Sequence, residues 1–235
     1  MATVAGFLFR LRLAAKALTC PADIRWFPVG QTSLFDFLKP LLTQIPEIPR
    51  ELMAATQPEL GQAKIIESSE PEVARTLYGL ALLLGSRQIV EVGVFRGFTS
   101  EFLAAALDRR EGHLHLVDLN WKALDEASLR SSRYVNCRIE KHLGRSTDPS
   151  VVNAVPDNCD LIFLDADHSE EGVAEELAAW LPKLRNDGII AIHDTIAFQG
   201  VCRAVTPFAG KFPTLTMATC RGSGLTMIRK SAPVN

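Results

Sequence analysis

The chain has 235 residues, with 25 Lys and Arg against 27 Asp and Glu, for a formal charge of -2. That near-balance gives no field that would draw nucleic acid or an anionic membrane, and a polyanionic substrate is not expected. The length fits one α/β domain plus an extension. No apolar run approaches the roughly 20 residues of a membrane span, and the five cysteines, Cys20, Cys137, Cys159, Cys202 and Cys220, form no C-x-x-C pair, against both a zinc cluster and a disulfide framework.

The first segment carries Val4, Phe7, Leu8, Leu11, Ala14, Ala15 and Leu18 at helical spacing, with Arg10 and Lys16 elsewhere on the wheel, so it reads as an amphipathic helix. Basic residues are interleaved with the apolar ones instead of preceding them, which argues against a secretion signal and for a cytoplasmic location with reduced, mostly buried thiols. Four readings stay open for this helix: a lid over a substrate pocket, a dimer contact, a membrane-surface helix, or packing on its own domain. Pro21, Pro28, Pro40, Pro46 and Pro49, with Trp26 and Phe27 among them, then predict short helices and turns. We place a helical extension over residues 1–60 and the α/β domain over residues 61–235.

Ser69 followed by Glu72 has the capping-box spacing, with Pro71 tolerated in the first turn, and predicts a helix to about Leu84. Strands are expected near Gln88 to Val92, His113 to Asp118, Cys137 to His142, Leu161 to Asp165 and Ile189 to His193. Helices are expected to begin near Thr99, Trp121, Thr147 and Ser169. This alternation predicts a parallel sheet with helices on both faces. The end differs: Phe212 to Cys220 and Gly224 to Arg229 flank Arg221-Gly222-Ser223, a hairpin signal that predicts an antiparallel pair at the sheet edge.

Chemistry concentrates at the predicted strand ends. The run from Gln88 to Val92 contains the carboxylate Glu91 and is followed by Gly93, Gly97, Thr99 and Ser100, a strand, a turn that brings backbone close to a ligand, and a helix N-terminus. A second apolar run ends in Asp118, about 20 residues beyond Gly97, the spacing at which an acid meets ribose hydroxyls. The turn is G-x-x-x-G and lacks the G-x-G-x-x-G that lets backbone approach a pyrophosphate, so a nucleoside without phosphates is favoured over a dinucleotide. Ligands of open α/β sheets bind at the carboxyl ends of the strands, so Glu91, Asp118, Asp165 and Asp194 are expected to face one cleft.

With these motifs the chain resembles the class I S-adenosylmethionine-dependent methyltransferases. Ser69-Glu70-Pro71-Glu72, Gly144 to Asp148, Phe163-Leu164-Asp165-Ala166-Asp167-His168 and Ile192-His193-Asp194 look like the small-molecule O-methyltransferases related to the catechol and caffeoyl-CoA enzymes. The variants at His168 and His193-Asp194 look more like bacterial natural-product relatives. The resemblance covers roughly residues 65 to 235. It implies a Rossmann-like, mostly parallel seven-stranded sheet with an antiparallel C-terminal hairpin, acting on a small molecule with a hydroxyl; a homo-oligomer is expected, with a dimer favoured. Glu91, Gly93 and Gly97 would surround the methionine part of S-adenosylmethionine, Asp118 would take the ribose and Ser146 would lie by the adenine. Asp165 would also border the cofactor, and Thr99 and Ser100 would either hold its carboxylate or cap the helix.

In metal-dependent relatives the first acid of the D-A-D segment and an acidic pair after the next strand hold a divalent cation such as Mg²⁺, which lowers the pKa of the substrate hydroxyl. Asp165, His193 and Asp194 occupy those positions here. The imidazole departs from that oxygen chemistry, so two readings stand beside the metal one: local hydrogen bonding of His193 and Asp194 at a strand end, and the acid–base pair of a metal-free enzyme. His168 sits where catechol-type relatives carry a lysine base, and histidine titrates close enough to neutrality to serve; capping the helix near Ser169 is the other reading. His113, His115 and His142 are read as structural, and Trp26 and Phe198 as weak candidates for the acceptor pocket. The rivals to methyl transfer are a cofactor-binding protein of the same fold and, disfavoured by the turn and the hairpin, a nicotinamide-dependent oxidoreductase.

Overall fold

The computed structural model describes residues 69–124, 134–219 and 221–230. The expected N-terminal helix, the 1–60 extension, Trp26, Cys20 and Cys220 lie outside the described residues. So does most of the helix expected from Trp121, residues 121–124 themselves being non-helical.

Helix α1 (Pro71–Leu83) leads into β1 (Gln88–Val92), α2 (Phe98–Asp108) and β2 (His113–Asp118). There follow β3 (Arg138–Leu143), α3 (Pro149–Ala154), β4 (Cys159–Leu164), α4 (Glu170–Trp180) and β5 (Leu184–His193). The chain closes with α5 (Gln199–Ala209), β6 (Thr214–Met217) and β7 (Leu225–Arg229). The seven strands lie in the order β3-β2-β1-β4-β5-β7-β6, parallel except that β7 runs antiparallel to both β5 and β6. The strand order reverses between β1 and β4, the place where open α/β sheets bind ligands.

Side chains alternate between two cores, because successive residues of a strand point to opposite faces. Ile89, Leu161, Phe163, Ile189 and Ala191 meet Leu77, Phe102 and Leu103 of α1 and α2. Val90, Ile162, Leu164, Ile190 and Ile192 meet Val173, Leu177 and Trp180 of α4 and Val201 and Val205 of α5. The same parity turns Glu91, Asp165 and His193 toward the α1 and α2 side, and His113, His115, Glu140 and His142 toward the other. Among the described residues no helix is long and apolar enough to cross a membrane, and the described cysteines Cys137, Cys159 and Cys202 are buried thiols outside any disulfide.

Three sequence expectations need correction. Glu70, not Ser69, is the N-cap of α1, and no side chain caps that end. Ser69 instead donates its hydroxyl to Asp165 Oδ2 at 2.7 Å, a bond to an ionised acceptor that is stronger than one to a backbone N–H. Strand β5 begins at Leu184, five residues earlier than its apolar run: Leu184 pairs with Cys159, and the ladder to β4 resumes at Ile189 across an irregularity that holds Asn186, Asp187 and Gly188. Helix α5 escaped the sequence reading: Gly200, Pro207 and Gly210 punctuate it, yet Val201, Cys202, Ala204 and Val205 are buried along one face.

Gly93 fixes how closely β1 and β4 approach at their tips. Its φ is +87°, and a Cβ there would run into the carbonyl group of Asp165 and stand 2.8 Å from Ala166 N. Gly93→Ala is expected to destabilise the fold by at least the ~1–3 kcal/mol of a strained residue, read as a lowered midpoint in urea unfolding; an unchanged midpoint would show that the tips tolerate separation.

Candidate functional site

The turn after β1 is held by the acid at the end of β2. Asp118 Oδ2 accepts from the backbone N–H groups of Val94 at 2.9 Å and Phe95 at 3.1 Å, and Oδ1 accepts from Asn120 N at 3.0 Å. Gly97, with φ +77°, is the N-cap of α2, and Phe95 is held at φ +48°, a conformation that bulky residues rarely adopt. Strain of this kind concentrates where a ligand is gripped. Beside the turn opens a cleft of about 330 Å³, lined among others by Gly93, Phe95, Asp118, Ser146, Asp165 and Glu176, a size at the lower end for small-molecule sites.

Glu91 lies outside that lining. It is 1% exposed, and its carboxyl receives the hydroxyl of the equally buried Ser100. Burial pushes the Glu91 carboxyl well above the usual carboxylate range. Glu91 and Ser100 therefore brace the base of the turn from behind, and Thr99 is buried beside them.

The far wall is built by the loop after β3 and by α4. Trp180 Nε1 donates to Ser146 O at 3.1 Å, while Ser146 Oγ donates to Glu176 Oε1 at 2.6 Å. Glu176 is 2% exposed, its Oε2 has no hydrogen-bond partner, and burial raises the carboxyl to about 7. Sequence reasoning missed Glu176. The signal was present: it follows Val173 by three residues and precedes Trp180 by four, which puts an acid inside the buried stripe of α4.

Behind the cleft lies a buried ionic cluster. His193 Nδ1 is 3.0 Å from Asp165 Oδ1 and its Nε2 is 2.8 Å from Glu70 Oε2. Ionised carboxylates only accept, so both ring nitrogens donate and the ring is an imidazolium. Burial works against that charge, but the Asp165 charge and the hydrogen bonds to Asp165 and Glu70 hold His193 well above its usual range. Burial likewise works to raise Glu70, yet His193, Thr219 and Ser223 bring it down to about 2. Thr219 Oγ1 donates to Glu70 Oε1 at 2.7 Å, which ties the hairpin to the start of α1.

His168 and Asp194 form a second pair. His168 Nε2 donates to Asp194 Oδ2 at 2.7 Å, which leaves Nδ1 with the lone pair, and this hydrogen bond to Asp194 raises the ring above its ordinary pKa against the effect of burial. Asp194 has φ +59°, and the Phe198 ring lies 4.5 Å from the His168 ring, centroid to centroid. Helix α4 is capped by Ser169, whose Oγ accepts from Gly172 N at 3.0 Å, so His168 does not cap it. Donor atoms of Asp165, His168 and Asp194 lie within 4.8 Å of one another, a grouping able to hold a metal ion. His193 stands beside this group, 3.7 Å from Asp194 Oδ1, but its nitrogens face carboxylates.

The structure thus brings Gly93, Asp118, Ser146 and Asp165 to one cleft and sets His168, His193, Asp194 and Phe198 against it. A family model described as a methyltransferase domain matches residues 90–195, which hold most of these groups. No curated protein matches the chain. Among solved structures, the chain is similar to the O-methyltransferase TomG from Streptomyces achromogenes, involved in tomaymycin synthesis and solved with SAM: 21% identity, 86% of this chain and 97% of that one, TM-score 0.61. An O-methyltransferase from Bacillus cereus in complex with SAH gives 18% identity, 88% and 100% coverage, and TM-score 0.60. The SAH-bound methyltransferase PaMTH1 from Podospora anserina gives 16%, 87% and 100%, and 0.60. Likeness at these identities establishes the fold, and the resemblance to class I methyltransferases read from the motifs is borne out.

Removing His193 leaves two buried carboxylates without their cation. His193→Ala is expected to cost about 3–5 kcal/mol in urea unfolding near pH 6. Stability from Glu70 is complete above its ordinary 4.5 and fades toward 2, whereas stability from His193 is complete below its ordinary 6.5 and is lost as pH rises through its raised value. The variant should therefore lose both slopes; wild-type stability and wild-type pH dependence in the variant would contradict the imidazolium.

Proposed function

We propose that this protein is an S-adenosylmethionine-dependent O-methyltransferase acting on a hydroxyl of a small molecule. The observation that carries this reading is the junction, at one end of the sheet, of a nucleoside-sized cleft bounded by Gly93, Asp118 and Ser146 with a His168–Asp194 pair set just beyond Asp165 and Asp167. Asp118 keeps acceptor capacity for the ribose beyond the three N–H groups it binds. Ser146 and Glu176 close the cleft at the nucleobase end. Asp165 and Asp167 line the cleft, and the negative charge they bring near it favours a sulfonium cation over the neutral thioether it becomes.

In the reaction the acceptor oxygen attacks the methyl carbon while the C–S electron pair departs to sulfur, and the hydroxyl proton passes to His168 Nδ1. Asp194 fixes the ring's tautomer and stabilises its protonated form, the role a carboxylate plays beside any histidine base. His193 and Ser69 hold Asp165 in place. Most of the acceleration comes from positioning acceptor and methyl donor together. Phe198, packed on His168, is the described residue best placed to meet an apolar part of the acceptor.

The divalent cation expected from the resemblance would be held by Asp165, His168 and Asp194 rather than through His193, and would polarise the acceptor hydroxyl. Two carboxylates and an imidazole suit such an ion on geometry. The positive His193 next to both carboxylates works against it, and His168 as a ligand would no longer be the base. The metal-free pair is therefore the reading we adopt. A nicotinamide ligand is disfavoured by the G-x-x-x-G turn, and a binder without methyl transfer would leave the His168–Asp194 geometry without use.

Two measurements test this. Calorimetry should detect S-adenosylhomocysteine and not NAD, and Asp118→Ala should weaken the former about tenfold to a hundredfold, the worth of hydrogen bonds to a charged acceptor; NAD binding, or no effect of the substitution, would overturn the cofactor assignment. On a methyl acceptor found by screening phenols and sugars, wild-type kcat should rise with pH to a plateau above 6.5, because the base must be unprotonated and its pKa is raised. His168→Ala should lower kcat by roughly 10²- to 10⁴-fold and remove that inflection; a variant that keeps both would eliminate His168 as the base.

A further inference from the structure

On the sheet face away from α1, toward the N-terminal ends of β2 and β3, stands a second cluster of ring nitrogens and a carboxylate that methyl transfer does not use. His113 and His115 are two residues apart on β2, and Glu140 pairs with His115 across the parallel ladder, so all three project to the same side. The rings of His113 and His115 lie 3.8 Å apart, centroid to centroid. One donor atom from each of His113, His115 and Glu140 falls within 4.8 Å of the other two.

We infer that His113, His115 and Glu140 form a transition-metal site, separate from the cofactor cleft, whose expected ion is zinc. Two ligands bonded to one zinc at about 2.0–2.2 Å and a tetrahedral angle stand roughly 3.4 Å apart. His113 Nε2 and Glu140 Oε2 already stand 3.2 Å apart, and that buried nitrogen lacks the alignment of a full hydrogen bond. The spacing of a shared ion is thus already present.

His115 is prepared for ligation on either side of its ring. Its Nδ1 lies 3.0 Å from His142 Nε2, and its Nε2 donates to Gln88 Oε1 at 3.1 Å. Ligation through one nitrogen leaves the other held by its present partner, the support that outer residues give ligating imidazoles. Burial keeps His115 neutral, with its pKa down at about 3, and His113 is lowered as well. Two imidazoles and one carboxylate select zinc and its neighbours over magnesium or calcium. Glu140 is partly exposed and gives the ion its entrance; Arg138, which contacts Glu140 Oε2 at 3.1 Å, is an exposed side chain with room to turn to solvent. An ion here would clamp β2 to the edge strand β3, at the opposite end of β2 from Asp118.

The test uses the full chain stripped with a chelator and dialysed against zinc. Wild type should bind one zinc more per chain than the double variant His113→Asn with Glu140→Gln, and zinc should raise the thermal midpoint of wild type only. Anomalous scattering at the zinc edge from wild-type crystals locates the ion independently of whether the variant folds. A peak between His113, His115 and Glu140 supports the site, whether or not a second appears at Asp165. No peak between them, or equal zinc content in the two proteins, overturns it.

Discussion

Both ring nitrogens of the buried His193 face carboxylates, Glu70 at the start of α1 and Asp165 at the tip of β4, so the ring carries a positive charge where little water can reach it. A buried charge of this kind is tolerated only when compensated on every side. Here the compensation joins three distant stretches of chain: Ser69 and Glu70, Asp165, and Thr219 ahead of β7. The ion group does more than satisfy itself. It sets the position of Asp165, which packs its carbonyl on Gly93 and lines the cleft, and it leads directly into Asp194, the partner of His168. The cleft and the His168–Asp194 pair are thus two outcomes of one electrostatic arrangement.

That arrangement explains the departure at His193 from the acidic pattern of metal-dependent relatives. Where those enzymes place a carboxylate, and with it an external cation, this chain supplies a cation of its own. An imidazolium fixed by two carboxylates holds Asp165 much as an ion would. What it does not supply is an open coordination position for an acceptor oxygen. In the function we propose, His168, held by Asp194 and raised in pKa, is the alternative, taking the acceptor's proton directly. The fold is shared with the solved methyltransferases, and the chemistry is decided by a few side chains beyond the strand tips.

Much of the sheet was legible because its signals are local. The apolar runs at Gln88 to Val92 and His113 to Asp118, the turn glycines and the hairpin around Gly222 each declare themselves within a few residues. The tips Asp118 and Asp165 followed from the rule that open sheets bind ligands at their carboxyl ends. Glu70, Ser69 and Thr219 were not legible in their roles, since their partners lie 123, 96 and 149 residues away, and no periodicity reports such pairs. Ser69 illustrates the point: local spacing offered a helix cap, and a distant carboxylate won. Glu176 and α5 were obscured differently, by polar or helix-breaking residues within buried stripes. The three histidines of β2 and β3 read as structural because sequence shows their number, not how the rings of His113 and His115 converge with Glu140.

The most direct test of the central claim is a crystal structure of the full chain with S-adenosylhomocysteine. The account predicts the nucleoside in the cleft between the Gly93 turn and Ser146, its ribose on Asp118 and its sulfur facing the acceptor side bounded by His168, with His193 still bridging Glu70 and Asp165. Density for the nucleoside anywhere else, or a His193 ring released from either carboxylate in a well-ordered complex, would contradict it.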